Sequence, residues 1–288
     1  VVFGSNQGFA SRLNLANLDG NNGFVLNGID AEDLSGRSVS GAGDINGDGI
    51  DDLIIGAVGA DPNGNSYAGE SYVVFGRQTP TPGDDVLFGT DGRDVIFALA
   101  GNDRVSGGGG NDRLIGGAGF DTLLGGNGAD TLVGRTGNDR LIGQSGNDLM
   151  RGNLGVDVLN GGTGNDRQFG GAGNDQLNGQ GGDDVLRGGA GRDVLLGGSG
   201  NDRLIGELGN DLIETGAGRD RIVIRPGHGF DRVTDFTDGQ DRIVLGGINF
   251  GQLSIQQRNN DVLISRGNER LLLLQNTRIG QINEVDFA

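Results

Sequence analysis

The chain has 288 residues, enough for one large domain or two to three small ones, but only 34% are hydrophobic, 62 are glycine and none is tryptophan, so ordinary side-chain packing is too thin to hold an extended fold by itself. A formal net charge of -17, with every basic residue an arginine, argues against binding to a phosphate backbone and makes cations the natural partners. The lack of cysteine removes disulfides and thiolate metal sites, and no apolar run approaches the ~18 residues that would span a bilayer.

The chain starts at Val1 rather than at a methionine, and inside a repeating unit, so it is expected to be a piece of a longer parent, and the lack of a signal peptide is uninformative. Residues 1–78 read as a separate unit. "VVFG" at 1–4 returns at 73–76 after 72 residues. Between them, "GDINGDGIDDLIIGA" (43–57) places Asp44, Asn46, Asp48 and Asp52 at positions 1, 3, 5 and 9 of a cation loop. Ile50 can add its carbonyl and Gly49 permits the sharp turn. An EF-hand needs a bidentate Glu at position 12, where Ile55 stands in the apolar run "LIIGA", which reads as a strand rather than a helix. A dockerin loop fails for the same reason, and the competing reading is an Asx-rich surface turn without metal. The segment resembles the FG-GAP repeat of integrin α-chain propellers. That resemblance implies a calcium loop between two blade strands, and a single blade that is a fragment of a larger propeller, because a propeller closes from several blades.

The stretch "RQTPTPGDD" (77–85) holds two of the four prolines, and a stiff extended linker is expected over 79–82. Beyond it, aspartates fall at Asp85, Asp94, Asp103, Asp112, Asp121, Asp130, Asp139, Asp148, Asp157, Asp166, Asp175, Asp184, Asp193, Asp202, Asp211 and Asp220, a period of nine held for sixteen units. Glycine stands two residues before each, from Gly83 to Gly218, and an apolar side chain two residues after, from Leu87 to Ile222, with Gln168 the exception. A disordered Gly/Asn/Asp linker would not keep so many fixed registers.

Nine is neither a helical nor a plain strand period, so each unit must contain its own turn. A hexad such as "GGAGFD" (116–121) suits the turn, and the next three residues, "TLL", suit a short strand with its middle side chain inward. Two units then close one coil. The expectation over 83–224 is an all-β, parallel β-roll solenoid of eight coils, roughly 40 Å long at ~4.8 Å per strand. Gln168 thins its core, and Phe169 is the candidate to compensate.

Stacking sets each aspartate beside the one eighteen residues away. At ~4.8 Å two carboxylates repel by about 1 kcal/mol in bulk water and by about 3–4 kcal/mol at an effective dielectric near 20. Repeated along two ladders, that opposes a coil holding two Leu-sized residues worth roughly 1.5–3 kcal/mol each, less the entropy of ordering the chain. A hard divalent cation between turns reverses the sign. Carboxylate and glycine carbonyl oxygens suit calcium, whereas magnesium demands a tighter octahedron and zinc or copper prefers imidazole or thiolate, of which the chain has one and none.

The units "GGAGFDTLL" (116–124), "GGTGNDRQF" (161–169), "GGAGNDQLN" (170–178) and "GGSGNDRLI" (197–205) resemble the glycine-rich nonapeptide of the repeats-in-toxin family. The resemblance covers about half the chain and implies Ca²⁺ sandwiched between turns, up to fourteen pairs among the sixteen aspartates. The second glycine is replaced at Thr90, Leu99, Arg135, Gln144, Asn153, Gln180 and Glu207, where weaker sites are expected. The period fails after Ile224, and one degenerate Gly-x-Asp turn follows at Gly229 and Asp231. A β cap is expected over 225–288, because an open solenoid end exposes edges and core. Its strands are "QLSIQQ" (252–257), "DVLISR" (261–266) and "ERLLLLQN" (269–276), turning at Asn259-Asn260 and Gly267-Asn268. "FDRVTDF" (230–236) and "NEVDFA" (283–288) are similar to the flanking region of that family, which implies export in an unfolded state by type I secretion through an uncleaved C-terminal signal.

One histidine excludes HExxH, the lack of lysine excludes a Walker A loop, and no Gly-x-Ser-x-Gly is present. His228 is expected to be an exposed turn residue, and Arg104, Arg113, Arg140, Arg167 and Arg203 solvated outer-face charges. The sequence thus describes a non-catalytic, calcium-folded extracellular protein, secreted or at a cell surface, adhesive or structural. Its partners are several Ca²⁺, an extracellular or cell-surface ligand and the type I secretion apparatus, with no nucleic acid and no transmembrane segment. The alternative is an accessory segment of a secreted protease, lipase or epimerase whose catalytic domain lies upstream.

Overall fold

A computed structural model describes residues 35–43, 52–57, 70–74 and 80–287. Contacts divide the chain into two compact units, Val1–Thr79 and Pro80–Ala288. In the first, strands Ser35–Gly43, Asp52–Ala57 and Glu70–Val74 form an antiparallel sheet in chain order. The apolar run "LIIGA" lies in the middle strand as expected, with Ile55 buried. Gly43 pairs with Asp52, so the intervening loop starts and ends at one rung of the ladder. Asp44, Asn46, Asp48 and Ile50 lie outside the described residues, and for Asp52 only its place in the strand is described.

In the second unit every nonapeptide contributes one strand, from Val86–Phe88 to Arg221–Ile224. Alternate strands go to opposite sheets, of twelve and nine strands, and neighbours run parallel. Pairing is eighteen residues apart: Arg140 faces Thr122 on one side and Val158 on the other. The β-roll is the architecture the period of nine requires. Its core is the expected single file per sheet, with Leu123, Leu141, Leu159 and Leu177 in one and Leu114, Leu132, Met150 and Leu186 in the other, all fully buried.

The strands are longer than the three residues expected. A typical one, Arg113–Ala118, has six and takes in the first two glycine positions of the next unit, leaving Gly-x-Asp as the turn. The ladder shows why: between Arg140–Ser145 and Val158–Thr163 pairing runs over three residues, skips the first glycine and resumes for two. At the second glycine position the backbone enters the left-handed region. Leu99, Arg135, Gln144, Asn153, Gln180 and Glu207 all stand there with φ between +71° and +88°, at about 1–2 kcal/mol of strain each. Thr90 is the substitution that does not take this conformation. The glycine before x-Asp is stricter. Gly137 has φ +130°, and a Cβ on it would overlap the carbonyl oxygen of Gly119 one coil earlier, which accounts for the glycine in every unit from Gly101 onward.

Two details of the core differ from expectation. Gln168 is fully buried, its Nε2 donating to Asn178 O at 2.7 Å while Oε1 has no partner. Phe169 does not fill in for it. The odd-even alternation of a strand turns it outward, where its ring lies between the guanidinium groups of Arg151 and Arg187, 5.4 and 5.9 Å from the centroid.

Coiling outlasts the period. Asp231–Val233 pairs with Leu212–Ala217, and Arg242–Leu245 with Arg221–Ile224, adding a ninth coil beyond Ile224. The expected meander follows as Ser254–Arg258, Asp261–Arg266 and Glu269–Leu274, turning at Asn259 and Gly267 with positive φ. Its last strand lies parallel to Asp231–Val233, so the cap covers the open edge of the twelve-stranded sheet. Phe287 bridges to Ile243 and packs on Phe250 with ring centroids 4.9 Å apart.

Two substitutions test this packing in the folded protein. Gln168→Leu removes the bare Oε1 and restores the apolar file, and is expected to stabilise the roll by ~1–3 kcal/mol, read as a higher urea midpoint. Gly137→Ala is expected to cost more than ~3 kcal/mol through overlap and left-handed strain, whereas Thr136→Ser on the exposed neighbour, which keeps the hydroxyl bonded to Gly117 O, leaves the midpoint within ~0.5 kcal/mol.

Candidate metal centre

Each Gly-x-Asp turn stacks on its equivalents, so the sixteen aspartates form two columns. From Asp103 to Asp220 all are buried, and Asp85 and Asp94 are half-buried. The two carboxylate oxygens differ in environment. Oδ1 accepts the backbone N–H of the aspartate one coil earlier, at 2.7–3.1 Å throughout, as from Asp139 N to Asp157 Oδ1 and from Asp148 N to Asp166 Oδ1. Oδ2 has no hydrogen-bond partner in any of the fourteen aspartates from Asp103 to Asp220. A buried, unmatched charged oxygen is costly.

These bare oxygens point into the space a missing side chain leaves. The position a Cβ would take on Gly143 is flanked by Asp148 Oδ2 and by Gly161 O of the next coil, and Gly107, Gly152 and Gly179 repeat the arrangement. Carboxylate and carbonyl oxygens converging on one niche form a donor set for a hard cation. Among the described residues no point gathers three His, Cys, Asp or Glu side chains, so ligation here relies on backbone oxygens beside each carboxylate. The residues present fit calcium in donor chemistry, and the glycine supplies the room.

The ends of the columns are different. Asp85 Oδ2 accepts from Thr81 N at 2.6 Å and from its hydroxyl at 3.2 Å. Thr90 does the same for Asp94 Oδ2, at 2.6 and 2.9 Å. The hydroxyl and N–H of threonine thus satisfy the oxygen that stays bare elsewhere.

Sequence reasoning named Asp231 only as a degenerate turn, and missed Asp241 and one whole column. Asp231 and Asp241 continue the ladder, accepting from Asp211 N and Asp220 N at 3.1 Å. Their signal was the motif Gly-x-Asp-x-apolar at 229–233 and 239–243, hidden by spacings of 20 and 21 in place of eighteen. The recurrent "GND" was the other signal. Its asparagines, such as Asn111, Asn147 and Asn174, accept the backbone N–H one coil later at 2.7–2.9 Å, a column running opposite to that of the aspartates.

Electrostatics follow from burial more than from crowding. Loss of water pushes Asp148, Asp157, Asp184 and Asp193 up to about 7, and Asp121 and Asp166 up to about 6. The backbone N–H bonded to Oδ1 opposes the rise, and carboxylates one coil away, as Asp166 and Asp130 beside Asp148, add a smaller push. Asp231 is also raised, by burial first and then by Asp211. The like-charge repulsion expected from sequence is therefore secondary to desolvation. Of the other residues singled out, Arg104, Arg113, Arg140 and Arg167 are exposed outer-face charges and Arg203 is half-buried. His228 is half-buried rather than exposed, because its carbonyl accepts Gly209 N at 2.7 Å and ties the turn to the preceding coil.

Fold and site together define a parallel β-roll with columns of buried carboxylates at its turns. The family model for the RTX calcium-binding nonapeptide repeat (4 copies) matches residues 80–114, 106–141, 133–168, 160–195 and 187–222, and that for the FG-GAP repeat matches 35–74. The chain is an RTX nonapeptide-repeat protein that also carries an FG-GAP repeat. No curated protein sequence matches it. Among solved structures, it is similar to the extracellular lipase LipA from Serratia marcescens, at 18% identity and a TM-score of 0.27, over 73% of this chain and 40% of the lipase. It is also similar to the AlgE6R3 subunit from the Azotobacter vinelandii mannuronan C5-epimerase, at 19% identity and a TM-score of 0.18, over 73% of this chain and 80% of that subunit.

Because the folded-state values lie above those of an unfolded aspartate, ~3.9, the metal-free roll takes up protons on folding. Its stability is fully present below about pH 4 and is lost as pH rises through about 6–7. Circular dichroism of the metal-free protein is expected to gain β-signal between pH 7.5 and pH 5. Calcium affinity is expected to fall over the same interval, because the ion binds the deprotonated carboxylate.

Proposed function

We propose that the two aspartate columns hold calcium ions between successive coils, and that binding and folding of the roll are one event. The observation that carries this reading is the run of buried carboxylate oxygens without a partner, most of them beside a backbone carbonyl of the next coil. Asp103 to Asp220 are the principal ligands. Asp85 and Asp94, whose second oxygens bond threonine, are weaker. When bound, calcium supplies the positive charge and the remaining oxygen ligation that these carboxylates lack. In the first unit Asp44, Asn46, Asp48, the Ile50 carbonyl and Asp52 form a separate calcium loop, a reading supported by the FG-GAP match and by the pairing of Gly43 with Asp52.

The division we propose is an FG-GAP blade over 1–78, a proline linker over 79–82, the calcium-binding roll over 83–224, and a β cap with a type I secretion signal over 225–288. The protein acts as a non-catalytic adhesive or structural module outside the cell, open where calcium is scarce and rigid where it is abundant. The pairing of RTX and FG-GAP repeats supports this role. Among the described residues no helix is long and apolar enough to cross a membrane.

Dialysis against EGTA at neutral pH is expected to abolish the β-type circular dichroism, and millimolar calcium, but not magnesium, to restore it. Calorimetry should count several ions per chain, and fewer in Asp148→Asn with Asp157→Asn. A spectrum indifferent to chelation and to calcium would overturn the proposal.

A further inference from the structure

The two sheets of the roll are alike in the core and unlike outside. In the nine-stranded sheet, every strand from Arg113–Ala118 to Arg242–Leu245 carries one arginine on its outer face. Arg113, Arg167, Arg203, Arg221 and Arg242 open their strands. Arg151 and Arg187 stand two residues further along, and Arg135 four. The result is eight guanidinium groups on eight consecutive strands, about 34 Å at ~4.8 Å per strand. The other sheet has Arg104 and Arg140 on its eight nonapeptide strands.

This row holds a single acid. Glu207 is the one acidic residue on these strands, and it makes the one ion pair among the described residues, with Arg187 at 3.2 Å. Arg242 donates to Val285 O. The remaining six have no carboxylate partner among the described residues, and most are exposed. The net charge of -17 argued against a phosphate backbone as partner, but the fold separates the charges: the roll's acids are mostly the buried aspartates of the turns, and most of the arginines on its strands lie on one sheet.

We propose that this face binds an acidic polysaccharide, a linear chain of carboxylated sugars lying across the strands along the rod. Guanidinium groups take carboxylates in bidentate fashion, and their spacing is close to the rise of one sugar in an extended chain. Half-buried Val133, Leu149 and Val185 lie between them, offering apolar contact to sugar faces. A bare single strand of nucleic acid would need a series of stacking platforms, and Phe169 is already held between two arginines. A bilayer is far broader than a six-residue strand and cannot follow a single row of guanidinium groups. The inference names the partner class of the adhesive role proposed above and rests on it.

The test is calorimetry of the calcium-loaded full chain with an oligogalacturonate of defined length, with circular dichroism in the same buffer to report folding separately. Binding is expected, weakening with salt and absent for the fully methyl-esterified oligomer. The quadruple variant Arg113→Gln, Arg151→Gln, Arg167→Gln, Arg221→Gln should bind at least tenfold more weakly, while Arg104→Gln with Arg140→Gln on the other sheet should bind as the parent does. The single variants Arg151→Gln and Arg221→Gln keep the test open if the quadruple variant fails to fold, each losing a few-fold in affinity. No binding by the folded parent, equal loss on either sheet, or equally tight binding to duplex DNA or anionic vesicles would overturn the proposal.

Discussion

A carboxylate buried at the turn, with one oxygen bonded to the neighbouring coil and the other bare, is the constraint on which the rest of this protein depends. The bonded oxygen fixes the stacking distance, because Oδ1 must reach the backbone N–H eighteen residues earlier. The bare oxygen favours glycine beside it, because a side chain there would fill the niche; Ala98 and Thr215 stand at the equivalent position before Asp103 and Asp220. Burial then raises the proton affinity of the group well above that of a free aspartate, so the charged form is the one the turn disfavours. The core does not relieve this, since each coil adds two inward side chains and one of those, Gln168, is polar.

The repeat made most of the architecture legible. Aspartates at a strict period of nine with a glycine two residues before them admit few solutions other than coils of two units, and the alternating parallel sheets follow. Less legible was what happens within one unit. Glycine reads as turn, yet the first two glycine positions lie inside the strand, one skipped by the ladder and the next left-handed. Only the backbone shows that Leu99 and Glu207 are strained substitutes rather than mere interruptions.

The cost of the aspartate columns was legible in sign but not in cause. Spacing along the chain gives the distance between two carboxylates, from which repulsion follows, whereas burial depends on how tightly the turns close over them. Asp231 was visible only as a degenerate turn and Asp241 escaped, because insertions of two and three residues break the register while leaving the coil intact. The FG-GAP loop shows the opposite case: its motif was plain in the sequence, and its residues lie outside those described.

Alternation of successive strands between two faces has a consequence for how such a chain can change length. Losing or gaining eighteen residues returns every later strand to its own sheet, shortening or extending the rod by one layer with its facing surface intact. Losing nine would send every downstream strand to the opposite sheet, so that the continuous line of guanidinium groups would break at the deletion and resume on the reverse side. Inheritance of a one-sided surface therefore tolerates copying slips only in even multiples of the repeat, however well each single unit folds.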